Sequence, residues 1–312
     1  MDAPFDHQPV ALDTILELLA PQPGETFCDA TIGGGGHAER VLEATAPDGR
    51  LLGIDRDLEA VDAATRRLER FGDRVVVRHG RFSDLERLMA EAGMTSLDGL
   101  VLDLGVSSHQ LDAARRGFSF IHDGPLDMRM DTTSGETAAA LLARTSEDDL
   151  ADLVFRFGGE RYSRRVARSI KRMEEEGGLA TTTDLAVAVR RVVGPKRAGA
   201  IDPATRTFQA IRIAVNDELG ELESLLDALP APLAVGGRVA VISFHSLEDG
   251  LVKRRFADLV SPCHCPPGIP VCDCPAPFAE YVTRRSVRVT AREREANPRS
   301  RSAKVRAVRR VR

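Results

Sequence analysis

The fold is decided by residues 26–57, which read TFCDATIGGGGHAERVLEATAPDGRLLGIDRD. A short apolar run over 27–30, followed by four glycines, predicts a buried parallel strand and a loop whose backbone can approach a ligand closely. A helix that begins near His37 would point its unpaired N–H groups and its positive dipole end at that loop. A second strand over 51–54 ends at Asp55, where a carboxylate can bind ribose hydroxyls in doubly wound folds. The stretch therefore predicts a cradle for an adenosine-containing ligand.

The glycine loop alone leaves two alternatives open. The spacing Gly33-x-Gly35-x-x-Ala38 also fits the dinucleotide-binding fingerprint, with its permitted terminal alanine. A glycine turn with no ligand would connect a strand and a helix equally well, although four consecutive glycines exceed what a tight turn needs. Other segments of the chain must therefore decide which ligand the loop holds.

Composition excludes several classes of protein. A chain of 312 residues predicts about two domains. Aromatic residues make up only 4% of the chain, which disfavours an RNA-binding platform built on stacked rings. No run approaches the roughly twenty apolar residues of a membrane helix, and five cysteines do not form a secreted disulfide framework. We therefore expect a soluble, cytoplasmic protein without a membrane partner.

The C-terminal part of the chain is basic although the whole chain has a net charge of -4. Residues 284–312 contain twelve lysines and arginines against two acidic residues, Glu293 and Glu295. This pattern predicts a local basic arm. Contact with nucleic acid phosphates is favoured over a solvated tail, which is the alternative.

Strand and helix patterns continue to alternate after Asp55. The predicted elements are a helix over 58–71, a strand over 75–78, a helix over 83–92 that starts with a Ser83/Glu86 capping box, and a strand over 99–103. This alternation predicts an α/β fold with an open parallel sheet. Because ligands bind beyond the carboxyl ends of parallel strands, the segments expected to line one site are 31–36, Asp55, 80–82 and 103–108.

A helical insertion interrupts the alternation. Residues 113–202 contain helix patterns without a convincing strand, so we predict a discontinuous domain over 1–112 and 203–312 around a helical domain. The elements predicted after the insertion are a long helix over 203–229, a strand over 238–243, a helix over 247–260, and final strands over 286–290 and 304–311.

One helix of the insertion carries a row of arginines. Arg161, Arg165, Arg168 and Arg172 recur at helical spacing and predict one basic face. Such a face can contact RNA phosphates or can simply be solvated, and the sequence leaves both open.

Six motifs, in order along nearly the whole chain, closely resemble the bacterial small-subunit ribosomal RNA cytosine-N4 methyltransferase family of the MraW type. They are DATIGGGGH at 29–37, DLGVSSHQLD at 103–112, RGFSFIHDGPLDMRMD at 116–131, ATRTFQAIRIAVN at 204–216, SFHSLED at 243–249 and NPRSRSAKVR at 297–306. The resemblance implies a Rossmann-like sheet with an inserted helical domain that recognises RNA. It also implies an enzyme that uses S-adenosylmethionine to methylate N4 of a cytidine in the decoding region of small-subunit ribosomal RNA.

The same resemblance assigns roles to individual residues. The implied cofactor-binding residues are Gly35, Gly36, His37, Asp55, Phe82, Asp103 and Gln110. Phe82 would stack on adenine, or would otherwise be an aromatic residue of the core. Asp103 is the leading candidate for orienting the amine, in competition with its cofactor role. Asn216 and His245 are secondary candidates for substrate contact, and both can equally be hydrogen-bonded core residues.

A cysteine cluster near the C-terminus could bind a metal. Cys263, Cys265, Cys272 and Cys274 offer four thiolates, with His264 as a substitute, and zinc would be the metal. However, the C-x-C pairs are tighter than the usual C-x-x-C spacing, so the sequence favours thiols in an insertion loop over a structural zinc site.

Two other functions compete with the methyltransferase. A nicotinamide-dependent oxidoreductase would share the glycine loop and Asp55, but it does not account for the strand-end motifs or the basic tail. A non-catalytic RNA-binding or ribosome assembly factor could have kept the fold. The sequence also leaves open whether the chain forms a homodimer.

Overall fold

The computed structural model describes residues 9–196, 202–263, 265 and 273–312. The chain divides into two compact units, which we call the sheet unit, Met1–Gly105 with Leu219–Arg312, and the helical unit, Val106–Glu218. The helical unit extends beyond the predicted range of 113–202 at both ends. Its C-terminal extension follows from packing, since Phe208 and Ile211 lie in the same hydrophobic core as Val154.

The strands belong to one mixed sheet in the sheet unit. They are β1 Thr26–Asp29, β2 Arg50–Asp55, β3 Val75–His79, β4 Leu97–Asp103, β5 Leu233–Ser243, β6 Ala279–Tyr281, β7 Val287–Arg288 and β8 Lys304–Arg310. Their order is β3-β2-β1-β4-β5-β8-β6, and β7 also pairs with β8. Strands β1 to β5 are parallel, whereas β6, β7 and β8 pair antiparallel. The predicted α/β fold with an open parallel sheet is confirmed.

Helices flank the sheet and build the helical unit. In chain order they are α1 Leu12–Leu19, α2 Gly36–Ala44, α3 Leu58–Leu68, α4 Leu85–Glu91, α5 Ser108–Asp112, α6 Ala138–Arg144, α7 Glu147–Gly158, α8 Ser163–Glu175, α9 Thr182–Val193, α10 Ala204–Asn216, α11 Glu218–Ala228, α12 Ser246–Val260 and α13 Ala291–Ala296. Short 3-10 helices occupy Glu69–Arg74, Phe82–Asp84, Ala114–Arg116 and Pro298–Ser302. None of the helices in the described part of the chain has both the length and the apolarity needed to cross a bilayer.

The central strands are apolar on both faces because the sheet separates two cores. On β4, Leu100 and Leu102 pack into the core that contains α4 and α12 residues, whereas Val101 packs into the core on the opposite face. Burial on both faces explains why this strand reads as a continuous apolar run rather than as alternating apolar and polar residues. Because both faces of the strand are buried, its polar side chains are found at its ends.

Two local predictions are wrong. The helix predicted over 203–229 is interrupted at Asp217, which adopts a left-handed conformation with φ 48° and ends α10. The Ser83/Glu86 capping box does not form, because residues 82–84 make a 3-10 turn and the Ser83 hydroxyl donates to the Glu221 carboxylate at 2.5 Å. In both places a tertiary or backbone feature overrides a local helix pattern.

Part of the basic tail belongs to the sheet, because β7 and β8 lie within it. Strand β8 runs between β5 and β6, as a final strand over 304–311 predicts. Lys304 and Arg306 both bind the Asp249 carboxylate, at 2.9 and 2.7 Å, and Arg309 pairs with Glu280 at 2.6 Å. Lys304, Arg306 and Arg309 therefore neutralise acidic residues of the sheet unit itself, which corrects the expectation of a local basic arm for this part of the tail.

Candidate functional site

Three aspartates end three neighbouring parallel strands. Asp29 ends β1, Asp55 ends β2 and Asp103 ends β4, and β1 lies between the other two strands. Because the strands are parallel, the three carboxyl ends meet at one edge of the sheet. The glycine loop starts at this edge, as the sequence predicts.

Backbone hydrogen bonds tie the glycine loop to both neighbouring strands. The Ile32 N–H donates to the Ile54 carbonyl at 2.9 Å, and the Ala30 N–H donates to the Val101 carbonyl at 3.0 Å. The Asp103 N–H donates to the Thr31 hydroxyl at 2.6 Å. The loop is therefore held in place from both sides.

The loop glycines adopt conformations that other residues avoid. Gly33 has φ 51° and Gly35 has φ 80°, and Gly35 is the N-cap of α2. A Cβ atom on Gly36 would approach the Pro9 Cγ atom to 2.9 Å. The next residue, His37, is buried and its Nε2 atom lies 2.9 Å from the Val10 carbonyl oxygen. The turn thus opens α2 with its first N–H groups facing the strand ends.

Asp55 is oriented by two backbone donors. The Gly33 N–H donates to its Oδ2 atom at 2.9 Å, and the Asp57 N–H donates to its Oδ1 atom at 2.9 Å. Each carboxylate oxygen can accept more than one hydrogen bond, so a diol could still bind to this carboxylate. The geometry fits the ribose-binding role that the sequence predicts for a carboxylate here.

The environment of the three aspartates makes them unusually weak acids. Burial, partly offset by the hydrogen bond from Thr31, raises the pKa of Asp29 to about 7. Burial likewise raises the pKa of Asp55 to about 6, although the hydrogen bonds from the Asp57 and Gly33 N–H groups lower it in part. Burial, followed by the charges of Asp29, Glu248 and Glu293, raises the pKa of Asp103 well above its ordinary value.

Two of these carboxylates have an oxygen without a hydrogen-bond partner among the described residues. They are the Oδ2 atom of Asp29, a residue only 1% exposed, and the Oδ1 atom of Asp103. Buried acceptors normally have a partner, so this edge of the sheet provides more acceptors than the protein supplies donors. A ligand with hydrogen-bond donors or a positive charge would complement these unpartnered carboxylate oxygens.

Phe82 lies beyond the third strand. It begins the 3-10 turn Phe82–Asp84 that follows β3, and its half-buried ring packs partly against the core under the sheet. The neighbouring Arg81 and Ser83 are both bound to Glu221, at 2.6 and 2.5 Å, which fixes this turn. The exposed part of the Phe82 ring is thus held in a defined place.

His245 has a structural role in the sheet unit. It is the N-cap of α12, where its Nδ1 atom accepts the Glu248 N–H at 3.4 Å, and the Glu248 carboxylate accepts the Phe244 N–H at 2.9 Å. The next acid, Asp249, binds Lys304 and Arg306 of β8. The SFHSLED motif therefore closes the strand-to-helix turn after β5 and connects it to the last strand.

Two predicted site residues belong to the helical unit, where each makes local hydrogen bonds. Gln110 forms a capping box with Ser107 at the start of α5. Asn216 accepts the Met130 N–H at 2.8 Å and donates to the Met128 carbonyl at 2.7 Å, so its amide holds the loop around Met128, whose φ is 60°. These bonds favour the structural interpretation of Asn216, while the binding roles of both residues stay predictions.

The predicted basic face is exposed on α8 and the turn before it. Arg168 pairs with Glu147 at 3.1 Å and Arg172 pairs with Glu176 at 2.9 Å. Arg161 and Arg165 are exposed and have no carboxylate within ion-pair distance among the described residues. Exposed aromatic side chains lie on the same unit, since Tyr162 sits 5.7 Å from the Arg165 guanidinium and Phe155 is on α7.

The cysteines lie in two different places. Cys28 is fully buried in the core under β1, and burial, together with the neighbouring Asp29 charge, raises the pKa of its thiol well above the ordinary value. The Sγ atoms of Cys263, Cys265 and Cys274 lie within 4.8 Å of one another after α12. The other predicted ligands, Cys272 and His264, lie outside the described residues.

The sequence prediction missed two residues of the strand-end edge. Asp29 lies in a quoted motif and Thr31 lies in the segment 31–36 that is expected to line the site, but the sequence assigns no individual role to either residue. A charged residue that ends an otherwise apolar buried strand is a signal that could have identified Asp29. No sequence signal singles out the Thr31 hydroxyl, because its role depends on the strand β4 beside it.

The sequence profile of the MraW methylase family matches residues 4–311. Two relatives are named "Ribosomal RNA small subunit methyltransferase H". The one from Syntrophotalea carbinolica is 52% identical and covers 98% of each chain, and the one from Symbiobacterium thermophilum is 48% identical and covers 97% of this chain and 96% of its own. A solved structure described as a putative rRNA-methylase from Clostridium thermocellum aligns with a TM-score of 0.47 at 10% identity, over 98% of this chain and 99% of the other.

Proposed function

The chain belongs to the MraW methylase family, and on that premise we propose that it methylates N4 of a cytidine in the decoding region of small-subunit ribosomal RNA. The relatives' names support ribosomal RNA of the small subunit as the substrate. The choice of the cytidine N4 atom rests on the resemblance of the six motifs and on the chemistry of the residues at the strand ends.

The strand-end edge fits S-adenosylmethionine as the methyl donor. When bound, this cofactor supplies a methyl group already activated by a sulfonium centre. Asp55 would accept the ribose hydroxyls, and the exposed part of the Phe82 ring would stack on the adenine. The unpartnered oxygens of Asp29 and Asp103 would face a ligand that carries positive charge, which offsets the excess of buried acceptors.

The burial of Cys28 is the observation that favours an amine over a ring carbon as the methyl acceptor. Methylation of cytosine at carbon 5 requires a thiolate that attacks the ring. Cys28 precedes the glycine loop but is fully buried, and the raised pKa of its thiol opposes thiolate formation. The other described cysteines lie beyond the far end of α12. Direct transfer to an exocyclic amine needs no such nucleophile.

Asp103 is the residue we assign to the amine. The N4 lone pair is delocalised into the cytosine ring, so the protein must align the amine and accept hydrogen bonds from its protons. The unpartnered Oδ1 atom of Asp103 can accept such a bond when the carboxyl is ionised. A cofactor contact by the same carboxylate is the competing role, and the two roles predict different kinetics.

The exposed arginines of the helical unit are the residues we assign to RNA binding. Arg161 and Arg165 carry positive charge that no described carboxylate neutralises, Tyr162 offers an exposed ring beside Arg165, and Phe155 is exposed on α7 of the same unit. Phosphate contacts supply affinity, and rings can stack on unpaired bases. The target base must leave its stack before its amine can reach the methyl group.

Methyl transfer by the purified protein tests this function. Labelled S-adenosylmethionine is incubated with free small-subunit RNA or with small subunits from a strain that lacks this protein, and the labelled nucleotide is mapped. We expect incorporation at one cytidine, strongly reduced in Asp55→Asn at limiting cofactor and retained in Asp73→Asn, which removes an exposed carboxylate elsewhere in the sheet unit. RNA binding without incorporation into either substrate would instead support the assembly-factor alternative.

A further inference from the structure

Three thiols that are distant in sequence from the strand-end motifs converge in the sheet unit. The Sγ atoms of Cys263, Cys265 and Cys274 all lie within 4.8 Å of one another, and the sulfurs of Cys265 and Cys274 are 3.4 Å apart. A disulfide requires about 2.05 Å between its sulfurs, so 3.4 Å is too long for this bond. The 3.4 Å separation instead fits two ligands of one ion, since Zn–S bonds of about 2.3 Å place two sulfurs within about 4 Å of each other, and the third sulfur is close enough to reach the same ion after a small movement.

The place of the cluster in the fold indicates a structural role. His245 caps α12 at the carboxyl ends of the strands, and α12 has 15 residues, which corresponds to roughly 22 Å. The cysteines follow the opposite end of this helix, so they are remote from the three aspartates. They lie in the connection between α12 and β6, the strand at the edge of the sheet next to β8.

The described C-terminal end of this connection, 273–278, leads into β6 and contacts α12 and the last residues of the chain. The Phe278 N–H donates to the Leu259 carbonyl at 2.9 Å, and the Val311 N–H donates to the Phe278 carbonyl at 2.9 Å. The Arg312 guanidinium lies 4.2 Å from the centre of the Phe278 ring. Most of the connection's described residues, 261–263, 265 and 273–278, are exposed, so hydrophobic burial contributes little to ordering these residues. A metal ion bound by thiols from both ends of the connection would stabilise the folded arrangement by its binding free energy, because its site does not exist in the unfolded chain.

We propose that Cys263, Cys265 and Cys274 bind a structural zinc ion that fastens the α12–β6 connection to the edge of the sheet. The thiols release their protons to solvent on binding, and no oxidant or reductant takes part. Zinc is the ion of choice because a cluster of cysteine thiolates suits a soft-to-borderline divalent metal and not magnesium or calcium. The convergence of the sulfurs, which the C-x-C spacing did not predict, is what favours the metal over separate thiols.

Metal analysis of the full-length, untagged protein tests the proposal. Protein expressed in zinc-supplemented medium is dialysed, and its zinc content is measured by inductively coupled plasma mass spectrometry. We expect about one zinc per chain, lost in Cys265→Ser and in Cys274→Ser. The matched control is Cys28→Ala, which removes a cysteine of the same chain outside the cluster and should keep its zinc.

A second measurement does not depend on how well the variants fold. Wild-type protein stripped of metal and titrated with cobalt(II) should develop the intense near-ultraviolet absorption of thiolate-to-metal charge transfer, and added zinc should abolish it. Removal of zinc should also lower the melting temperature of the wild type but not that of a folded Cys265→Ser variant. Three results would each overturn the proposal: no zinc together with no cobalt absorption, zinc retained in both serine variants, or a Cys265–Cys274 disulfide found by mass spectrometry of the unreduced protein.

Discussion

The backbone N–H of Gly33 donates a 2.9 Å hydrogen bond to the Oδ2 atom of Asp55, which joins the glycine loop after β1 to the end of β2. This bond couples the two features on which an adenosine site depends. The positive φ of Gly33 points the N–H at the carboxylate, and the carboxylate in turn holds the loop. A change at either residue should therefore affect both the shape of the loop and the binding of ribose.

Replacement of Asp55 by asparagine should weaken cofactor binding. The variant keeps one acceptor oxygen but loses the negative charge and one of the two acceptors. A loss of about 10- to 100-fold in affinity is expected, as for hydrogen bonds to a charged group. Isothermal titration with S-adenosylhomocysteine measures the effect, and Asp73→Asn should bind like the wild type. If Asp55→Asn and the wild type bound S-adenosylhomocysteine with equal affinity, Asp55 would not contribute to cofactor binding.

Cofactor affinity should rise with pH between about 5 and about 8. The cationic cofactor binds the ionised carboxylates, whereas burial raises the pKa of Asp55 to about 6 and that of Asp29 to about 7 in the unliganded protein. Protons must therefore leave before or during binding at lower pH. Titrations of S-adenosylmethionine across this range measure the slope, and Asp29→Asn should make it shallower. A flat profile would contradict the assignment of these carboxylates to the cofactor.

The unliganded protein should become less stable as the pH rises through the same range. The pKa of Asp29 is higher in the folded state, about 7, than in the unfolded state, near 3.9. Between these two pKa values the folded protein thus binds more protons than the unfolded chain. The stability that Asp29 contributes is fully present below about pH 3.9 and is lost as the pH rises through about 7. Urea denaturation at several pH values measures this effect. The free energy of unfolding of Asp29→Asn should fall less steeply with pH than that of wild type, and its urea midpoint near pH 8 should be higher. If the unfolding free energies of the two proteins changed with pH in parallel, Asp29 would not be the cause of the pH dependence.

Charge reversal at Arg161 and Arg165 should weaken RNA binding more than reversal at Arg168 and Arg172. The second pair is already bound to Glu147 and Glu176, so it offers less charge to phosphates. Fluorescence anisotropy with a small-subunit RNA fragment, repeated at several salt concentrations, measures both affinity and its salt dependence. The salt slope of the first double variant should fall by about one to two. Equal effects of the two double variants would mean that only the overall charge of the helical unit matters.

Replacement of Cys28 by alanine should leave the methyl transfer rate close to that of wild type. The thiol is buried in the core and its raised pKa disfavours the thiolate, so the reaction should not depend on it. The rate is measured with saturating S-adenosylmethionine, and circular dichroism confirms that the variant is folded. Loss of activity in a folded Cys28→Ala variant would indicate a covalent mechanism and a different target atom.

Kinetics of Asp103→Asn separate its two candidate roles. Loss of an amine contact should lower kcat while KM for S-adenosylmethionine stays close to wild type. Loss of a cofactor contact should mainly raise that KM. The first result supports the assignment of Asp103 to the amine, and the second contradicts it.

Much of the sheet could be predicted from the sequence because local patterns decide it. The apolar runs of β1 to β4 are short and bounded by turn residues, and Asp55 follows its strand at the expected distance from the glycines. The edge on which the glycine loop and the strand-end aspartates meet then follows from the parallel order alone.

Other features depend on contacts between distant segments, which local patterns do not contain. The break at Asp217 separates two stretches that both have good helix propensity. The role of Ser83 depends on Glu221, and Asp29 becomes a weak acid mainly because the folded chain buries it, with a smaller contribution from the charge of Asp55. The sequence of the basic tail predicts a basic arm because it contains neither the pairing of β8 with β5 nor Asp249 of α12, which binds Lys304 and Arg306.

The identity of the methylated nucleoside shows whether this protein methylates cytidine at N4. Small subunits from a strain without this protein are treated with the purified protein and S-adenosylmethionine that carries a deuterated methyl group. Their RNA is then digested and analysed by mass spectrometry against standards. We predict deuterated N4-methylcytidine at one position, strongly reduced with Asp55→Asn at limiting cofactor. Label found in 5-methylcytidine, in a ribose methyl group or in no nucleoside would contradict it.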